Sequence, residues 1–191
     1  GIDKIEKNDI DNANKLGYKI KLLGYAELIN NRIYQRVHPT LIKKSSYVAS
    51  IDGVLNAVIV DGNPIGRSTI QGEGAGASAT TSALVSDISS VLRGNIKFPF
   101  SLSTKERKKL LFNNISNRLF SSYLRFEVID KSGVLSNITN IFSKNKVSIK
   151  RLIQNPNKVK KLSSITIITH NSKDVNLQKI IKEISKKNYV K

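Results

Sequence analysis

Residues 53–87 constrain this chain more than any other stretch. They run from Gly53-Val54-Leu55-Asn56-Ala57-Val58-Ile59-Val60 through Asp61-Gly62-Asn63 to a second run ending at Ile70. Gly72-Glu73-Gly74-Ala75-Gly76 follows, and then a small-residue segment from Ala77. The pattern predicts a hairpin, a glycine loop and a helix in direct succession. Asp-Gly-Asn between two apolar runs is hairpin-turn chemistry and places strands over 54–60 and 65–70. Glycines at 72, 74 and 76 let the backbone turn with φ > 0 and remove each Cβ that would hold a ligand away from the peptide N–H groups. A helix over 77–92, closed by Gly94, points its orphan N–H groups and positive dipole end at the loop. That construction suits the approach of a phosphate or a nicotinamide. Turn geometry alone also accounts for a glycine triplet. The spelling Gly72-x-Gly74-x-x-Ala77 meets the loose dinucleotide fingerprint. No acidic residue closes a following strand about 20 residues on, and Asp87 lies inside the helix, so this is not the opening unit of a dinucleotide-binding domain.

Upstream, Ile10, Ala13 and Leu16 recur at helical spacing, and Gly17 stops a helix over 7–16. Asp3, Glu6, Asp9 and Asp11 sit on or beside it and are expected to be solvated, favouring its N-terminus by charge. Tyr18 to Leu22 alternates as a half-buried strand, with Lys19 and Lys21 outward. Asn30-Asn31 turns the chain into a strand over 32–37, and Pro39 requires that strand to end nearby or lie on an edge. His38, beside that proline, reads as a structural histidine. Asn56 needs a hydrogen-bond partner if it is buried.

Residues 94–121 read as a connector, extended around Phe98-Pro99-Phe100 and helix-compatible over 104–112. Beyond it the pattern is strand 122–129, turn Asp130-Lys131-Ser132-Gly133, and a helix with Val134, Ile138, Ile141 and Phe142 on one face. Strand 147–153, loop Asn155-Pro156-Asn157, strand 162–169 and helix 175–184 complete it. That order is βαββα, stopping at 188–191 where a fourth strand is expected to begin.

The chain has 191 residues and a net charge of +18, with 32 Lys and Arg against 14 Asp and Glu. Residues 1–93 hold 11 basic and 9 acidic side chains, a net of +2, and residues 94–191 hold 21 and 5, a net of +16. The excess is thus confined to the second half and reads as Lys-rich solvated surface. A basic βαββαβ domain is also the order of an RNA-binding module, but base stacking needs aromatics on the central strands, and 162–169 has none. No nucleic acid is expected as a partner. There is no Cys, so disulfides and thiolate metal sites are excluded, and two distant His residues form no metal motif. No apolar run approaches the ~18 residues of a membrane span, so no membrane partner is expected and a cytoplasmic location is the default. The chain also has no Met, which reads as a fragment or a trimmed product.

Several motifs fall together in order and spacing. They are Gly1-Ile2, Leu16-Gly17-Tyr18-Lys19-Ile20-Lys21-Leu22-Leu23-Gly24, Val37-His38-Pro39-Thr40-Leu41-Ile42, Gly53-Val54 with Asn56-Ala57-Val58, Gly72–Gly76, and Thr80-Thr81-Ser82-Ala83 with Asp87. This set resembles the end of the catalytic domain of homoserine dehydrogenase. From Tyr123 on, with Asp130-Lys-Ser-Gly-Val-Leu135, the chain resembles the regulatory ACT domain. The resemblance implies an α+β fold, a mixed-sheet remnant of the catalytic domain over 1–93 followed by a ferredoxin-like βαββαβ ACT domain over 122–191 that lacks its last strand. It implies an oxidoreductase that uses NAD(P) on aspartate semialdehyde and homoserine, in threonine and methionine biosynthesis. Gly76 is then placed beside the cofactor, with Gly72 and Gly74 as supporting backbone. The family's lysine acid/base and its substrate-holding acidic residues fall upstream of Gly1, so no catalytic residue is assigned here, and this chain alone is expected to be inactive. In the ACT half, Asp130, Gly133 and Ser148 are the positions for an amino-acid effector. Ser132 stands where Pro is common, and the alternative is that Asp130 and Ser132 merely cap the helix. ACT domains commonly pair side by side, so a homodimer or higher homo-oligomer is expected. An amino-acid sensor without catalysis is the competing reading, and the matched 1–93 segment argues against it.

Overall fold

The structure, a computed structural model, describes residues 2–95, 102–113, 118–157, 159 and 161–191. The expected extended segment at Phe98-Pro99-Phe100 lies outside the described residues. The chain forms two compact units, Gly1–Leu41 with Leu110–Lys191, and Ile42–Lys109.

In the first unit, helix α1 (Lys7–Lys15) leads through Gly17, at φ +82°, into strands β1 (Tyr18–Ile29) and β2 (Arg32–Lys43). Asn30 and Asn31 both take positive φ, 49° and 58°, as a two-residue hairpin turn with its favoured hand requires. β2 does not end at Pro39 but runs through it. Its only other neighbour among the described residues is the short β5 (Leu111–Phe112), parallel and opposite Arg32 and Ile33. Pro39 therefore lies on an open edge, where its missing N–H costs no ladder bond. β5 also replaces part of the helix expected over 104–112, and the described residues there form no helix.

The C-terminal part follows the predicted order closely. Strand β7 (Tyr123–Ile129), helix α3 (Val134–Lys144), β8 (Ile149–Asn157), β9 (Leu162–Thr169) and helix α4 (Asp174–Ile184) form an antiparallel sheet ordered β7-β9-β8. Two short strands, β6 (Leu119–Phe120) and β10 (Ser172–Lys173), pair antiparallel beside it. The Asn155-Pro156-Asn157 segment expected as a loop belongs to β8, opposite Ser164, Ser163 and Leu162. Pro156 is tolerated because β8 is an edge strand of this sheet. The terminal residues already occupy the place of a fourth strand. Val190 bridges Val128, the Ile129 N–H donates to the Tyr189 carbonyl at 2.8 Å, and the Lys191 N–H donates to that of Glu127 at 2.9 Å. The arrangement is ferredoxin-like. Its core lies between the helices and one sheet face, where Phe126, Val128, Ile165 and Ile167 meet Ile138, Phe142, Leu177, Ile180 and Ile184.

The opposite sheet face carries Tyr123, Arg125, Ser164, Thr166 and Asn155, and α1 docks on it. Of the apolar residues of α1 at helical spacing, only Ala13 is fully buried. Ile10 is 48 % exposed, whereas Asp9 and Asn12 are 2 % and 0 % exposed beside buried Ala13. Tyr123 Oη donates to Asp9 Oδ1 at 2.7 Å, and Arg125 Nε donates to the same oxygen at 2.9 Å. Arg125 also meets Glu6 at 2.8 Å. Asn12 donates to Thr166 Oγ1 and receives from Asn155 Nδ2, both at 3.1 Å. Asp9 is thus not a solvated carboxylate. It also closes the N-terminal capping box of α1, accepting the Glu6 N–H at 2.9 Å. Lys19 and Lys21 are half-buried, and Leu22, at the end of the same alternating run, is 50 % exposed.

Burial and the neighbouring Asp9 carboxylate push the Tyr123 phenol up to about 12. A phenol whose folded value exceeds its unfolded value of about 10 holds its proton longer in the native state. Its stabilisation is complete below about pH 10 and is lost as pH rises towards 12. Urea midpoints measured between pH 9 and 11.5 are expected to fall, and Tyr123→Phe should flatten that fall. An identical alkaline slope in the variant would remove Tyr123 as its source.

The second unit contains a 3-10 turn (Tyr47–Ser50), the hairpin β3 (Leu55–Gly62) and β4 (Gly66–Glu73), and helix α2 (Ala77–Leu92). The hairpin register runs unbroken from Leu55 opposite Glu73 to Gly62 opposite Gly66. No residue of α2 is buried, so Leu84, Val85, Ile88, Val91 and Leu92 stand open in this chain.

Candidate functional site

Gly72 lies within β4, opposite Asn56, and Gly74 and Gly76 follow the strand; of the three only Gly76 takes positive φ, and they differ in what they are for. The Gly74 N–H donates to the Val54 carbonyl at 2.8 Å, closing the open end of the hairpin. A Cβ at Gly74 would lie 1.4 Å from Asn56 Nδ2 and 2.6 Å from its Cγ, so Asn56 already fills that space. Asn56 is exposed, and its side chain packs over Gly74, so it belongs to the loop and is not a buried polar group of the sheet. Gly76 is the N-cap of α2 at φ +115°, where its carbonyl accepts the Thr80 N–H at 3.1 Å and the Thr80 hydroxyl at 2.8 Å. Nothing lies within 4 Å of a Cβ built at Gly76 or Gly72. The surface open to a ligand is therefore at Gly76, at a helix N-terminus whose cap residue brings no side-chain hydrogen bond. Gly74 is occupied within the chain.

In the first unit, a cleft of about 300 Å³ opens at the turn from β7 to α3. Asp130, Lys131, Ser132 and Gly133 form its rim, Val128 and Ile165 its floor, and Gln154 reaches it from β8. Gly133 is the N-cap of α3 in the left-handed region, φ +86°, and no side chain caps the helix. The Val134 N–H donates to the Lys131 carbonyl at 3.3 Å, so the α3 N-terminus is closed in part by its own backbone. The first turn of α3 carries no acidic side chain either, so its dipole end is not internally compensated. The cleft brings Asp130 and Gly133 together. Ser148 is exposed just before β8, with its carbonyl accepting the His170 N–H at 2.9 Å, and it does not line this cleft.

A third cluster had no signal in the sequence. Arg118 stacks over Tyr34, 4.1 Å from the ring centre, and lies 5.6 Å from that of Tyr25, while its Nη2 meets the Glu27 carboxylate. That contact holds Glu27 below the usual carboxylate range. Arg118 and Glu27 are 91 positions apart, and only the tertiary fold joins them. His38 lies on the same strand as Tyr34. Its Nε2 is 3.1 Å from Thr40 Oγ1, and burial followed by the Arg36 charge lowers its pKa. That is a structural environment. Among the described residues no three His, Asp or Glu side chains are placed to hold a metal ion. Among the described residues no helix is long and apolar enough to cross a membrane.

Comparison with known proteins accounts for both halves. Residues 1–89 match the family model of homoserine dehydrogenase, and residues 122–188 match that of the ACT domain. Homoserine dehydrogenase of Helicobacter pylori is 33% identical over 184 residues, covering 96% of this chain and 43% of that protein. The Neisseria gonorrhoeae enzyme is 34% identical over 194 residues, covering 96% and 44%. A crystal structure of a homoserine dehydrogenase from Thiobacillus denitrificans superposes with a TM-score of 0.82 at 32% identity, over 100% of this chain and 44% of that one. That of S. aureus gives 0.58 at 28% identity, over 99% and 44%. The chain spans less than half the length of these relatives. With both segments in this order, a ferredoxin-like second part and a glycine loop opening α2, the chain belongs to the homoserine dehydrogenase family and carries an ACT domain.

Proposed function

We infer that this chain forms part of an NAD(P)-dependent homoserine dehydrogenase, interconverting L-aspartate 4-semialdehyde and L-homoserine, with an ACT domain that binds an amino-acid effector. The observation that carries this reading is the joint match of residues 1–89 and 122–188 to the two families in one chain. The nicotinamide, when bound, supplies or accepts the hydride. This chain's contribution is positional. Gly76 lets the backbone pass close to the cofactor, and the α2 N-terminus directs positive potential there. The open apolar side chains of α2 fit a role as a packing face for the remaining part of such an enzyme. On this reading no residue of this chain serves as the acid/base lysine.

The test is a chimera in which this chain replaces the corresponding part of the Helicobacter pylori enzyme. The chimera is expected to oxidise NAD(P)H with aspartate semialdehyde, while the 191-residue chain alone turns nothing over. Gly76→Val in the chimera should raise the cofactor KM about tenfold or more, because a branched Cβ intrudes and the φ of +115° becomes strained. A folded but inactive chimera would count against the assignment. An unchanged KM would return the loop to a purely structural role.

In the ACT half, the N-terminus of α3, which no side chain caps, suits a carboxylate, and Asp130 suits an ammonium group, so the cleft fits the two ends of a free amino acid. The second unit of an effector site, with Ser148, would come from side-by-side pairing of ACT domains. Sedimentation is expected to show a dimer favoured by added salt, since screening relieves repulsion between the basic C-terminal halves. A folded monomer at low and high salt, with and without threonine, would reject the dimer.

A further inference from the structure

The sheet of β7, β8 and β9 is a single layer with the cleft on one side and α1 on the other. On β8 and β9 a cleft-lining residue is the chain neighbour of a residue in the α1 contact, and on β7 the link runs one step further, through Glu127 and Arg125. On β8, Gln154 lines the cleft and Asn155 holds Asn12 at 3.1 Å. On β9, Ile165 lines the cleft, while Thr166 receives Asn12 at 3.1 Å and Ser164 receives Asn8 at 3.3 Å. On β7, Val128 lines the cleft, and Glu127 beside it lies 3.5 Å from Arg125, which holds Asp9. The ladder locks these positions together, with Gln154 opposite Ile165, Asn155 opposite Ser164, and Thr166 opposite Arg125.

The α1 contact is made by directional bonds. Asp9 and Asn12 point inward with Ala13, and Ile10 points out. Hydrogen bonds weaken steeply when misaligned, and a buried polar group that loses its partner bears its full desolvation cost. A change of strand spacing or tilt that a greasy contact would absorb is therefore resisted here. α1 continues through Gly17 into β1, so whatever moves α1 acts on the β1–β2 hairpin.

We propose that docking of α1 and the conformation of the Asp130–Leu135 cleft are energetically coupled through this sheet, with the Asp9–Arg125–Tyr123 and Asn12–Thr166–Asn155 contacts as the latch. The coupling itself needs no ligand. Its use in regulation rests on the effector reading above.

Amide hydrogen exchange on the 191-residue chain tests it from both ends, because coupling is reciprocal. Asp9→Asn keeps the side-chain shape and removes the charge that Arg125 meets. It is expected to speed exchange in α1 and also across residues 131–135, by about fivefold or more at each end. Gly133→Ala meets no atom within 4 Å but is strained at φ +86°, so it perturbs the cleft alone. It is expected to speed exchange in α1 as well. Asn8→Ala, which removes the 3.3 Å bond to Ser164 and the acceptor of Asn12 Nδ2 at 3.4 Å, serves if Asp9→Asn does not fold. Asp11→Asn, on the exposed side of α1, should change neither region. Folded variants that alter exchange only at their own end overturn the coupling. L-threonine at millimolar concentration forms a separate arm. Protection of 131–135 by threonine without cross-effects in the variants keeps the effector reading and rejects the coupling. Cross-effects without protection by threonine keep the coupling and reject threonine as the occupant.

Discussion

Replacing Arg125 with alanine is expected to destabilise the first unit by about 3–5 kcal/mol, the usual cost of removing one partner of a buried ion pair. The side chains of Arg125 and Asp9 are 16% and 3% exposed, so water reaches the pair only from the Arg125 side and replaces the lost contact in part. Asp9 would keep the Tyr123 hydroxyl and the Glu6 N–H but lose its counter-charge. The double variant Asp9→Ala/Arg125→Ala should cost less than the two single changes added together, because no uncompensated charge remains. Urea unfolding followed by circular dichroism measures all three. A loss below about 1 kcal/mol for Arg125→Ala would place the pair among ordinary surface ion pairs and weaken the latch as described.

Gly74→Ala carries the second large effect, about 1–3 kcal/mol of overpacking concentrated in the hairpin and loop. The added methyl would fall on the Asn56 side chain, 1.4 Å from Nδ2 and 2.6 Å from Cγ, so this exposed side chain must swing away from the loop. Asn56 Cβ, 3.2 Å away, must also give by a few tenths of an ångström, and that adjustment loads the 2.8 Å bond from Gly74 to Val54. Faster amide exchange at Gly74 and along β3 reads the effect. Combining Gly74→Ala with Asn56→Gly should restore most of the protection. If Asn56→Gly restores nothing, the clash is not the reason for glycine at 74. Gly72→Ala, with nothing within 4 Å, is expected to be nearly silent beside it.

The elements whose partners are close in sequence were legible from it. The β3–β4 hairpin, α2 with its stop at Gly94, and the β7-α3-β8-β9-α4 order follow from period, turn residues and caps acting over a few positions. β9 and α2 fall on the predicted residues. The glycines at 76 and 133 were readable as backbone positions because only glycine takes φ of +115° or +86° without strain.

What the sequence did not contain was the identity of the opposing surface. Ile10, Ala13 and Leu16 marked α1 as a helix by their spacing but not what it meets: Ile10 stands 48 % exposed, and the opposing surface carries Tyr123, Arg125, Ser164, Thr166 and Asn155. A polar face is buried there because every buried group finds a partner. Pro39 left a strand end or an edge open and Pro156 read as part of a loop; each lies in an edge strand region, and which strand takes the edge is a property of the assembled sheet. Arg118 has no local signal at all, since its rings and carboxylate come from β1 and β2. Local chemistry thus determined which segments become helix, strand and turn, because hydrogen bonding and side-chain periodicity act over a few residues. The tertiary structure alone decided which faces are buried, because burial depends on what the far end of the chain brings to meet them.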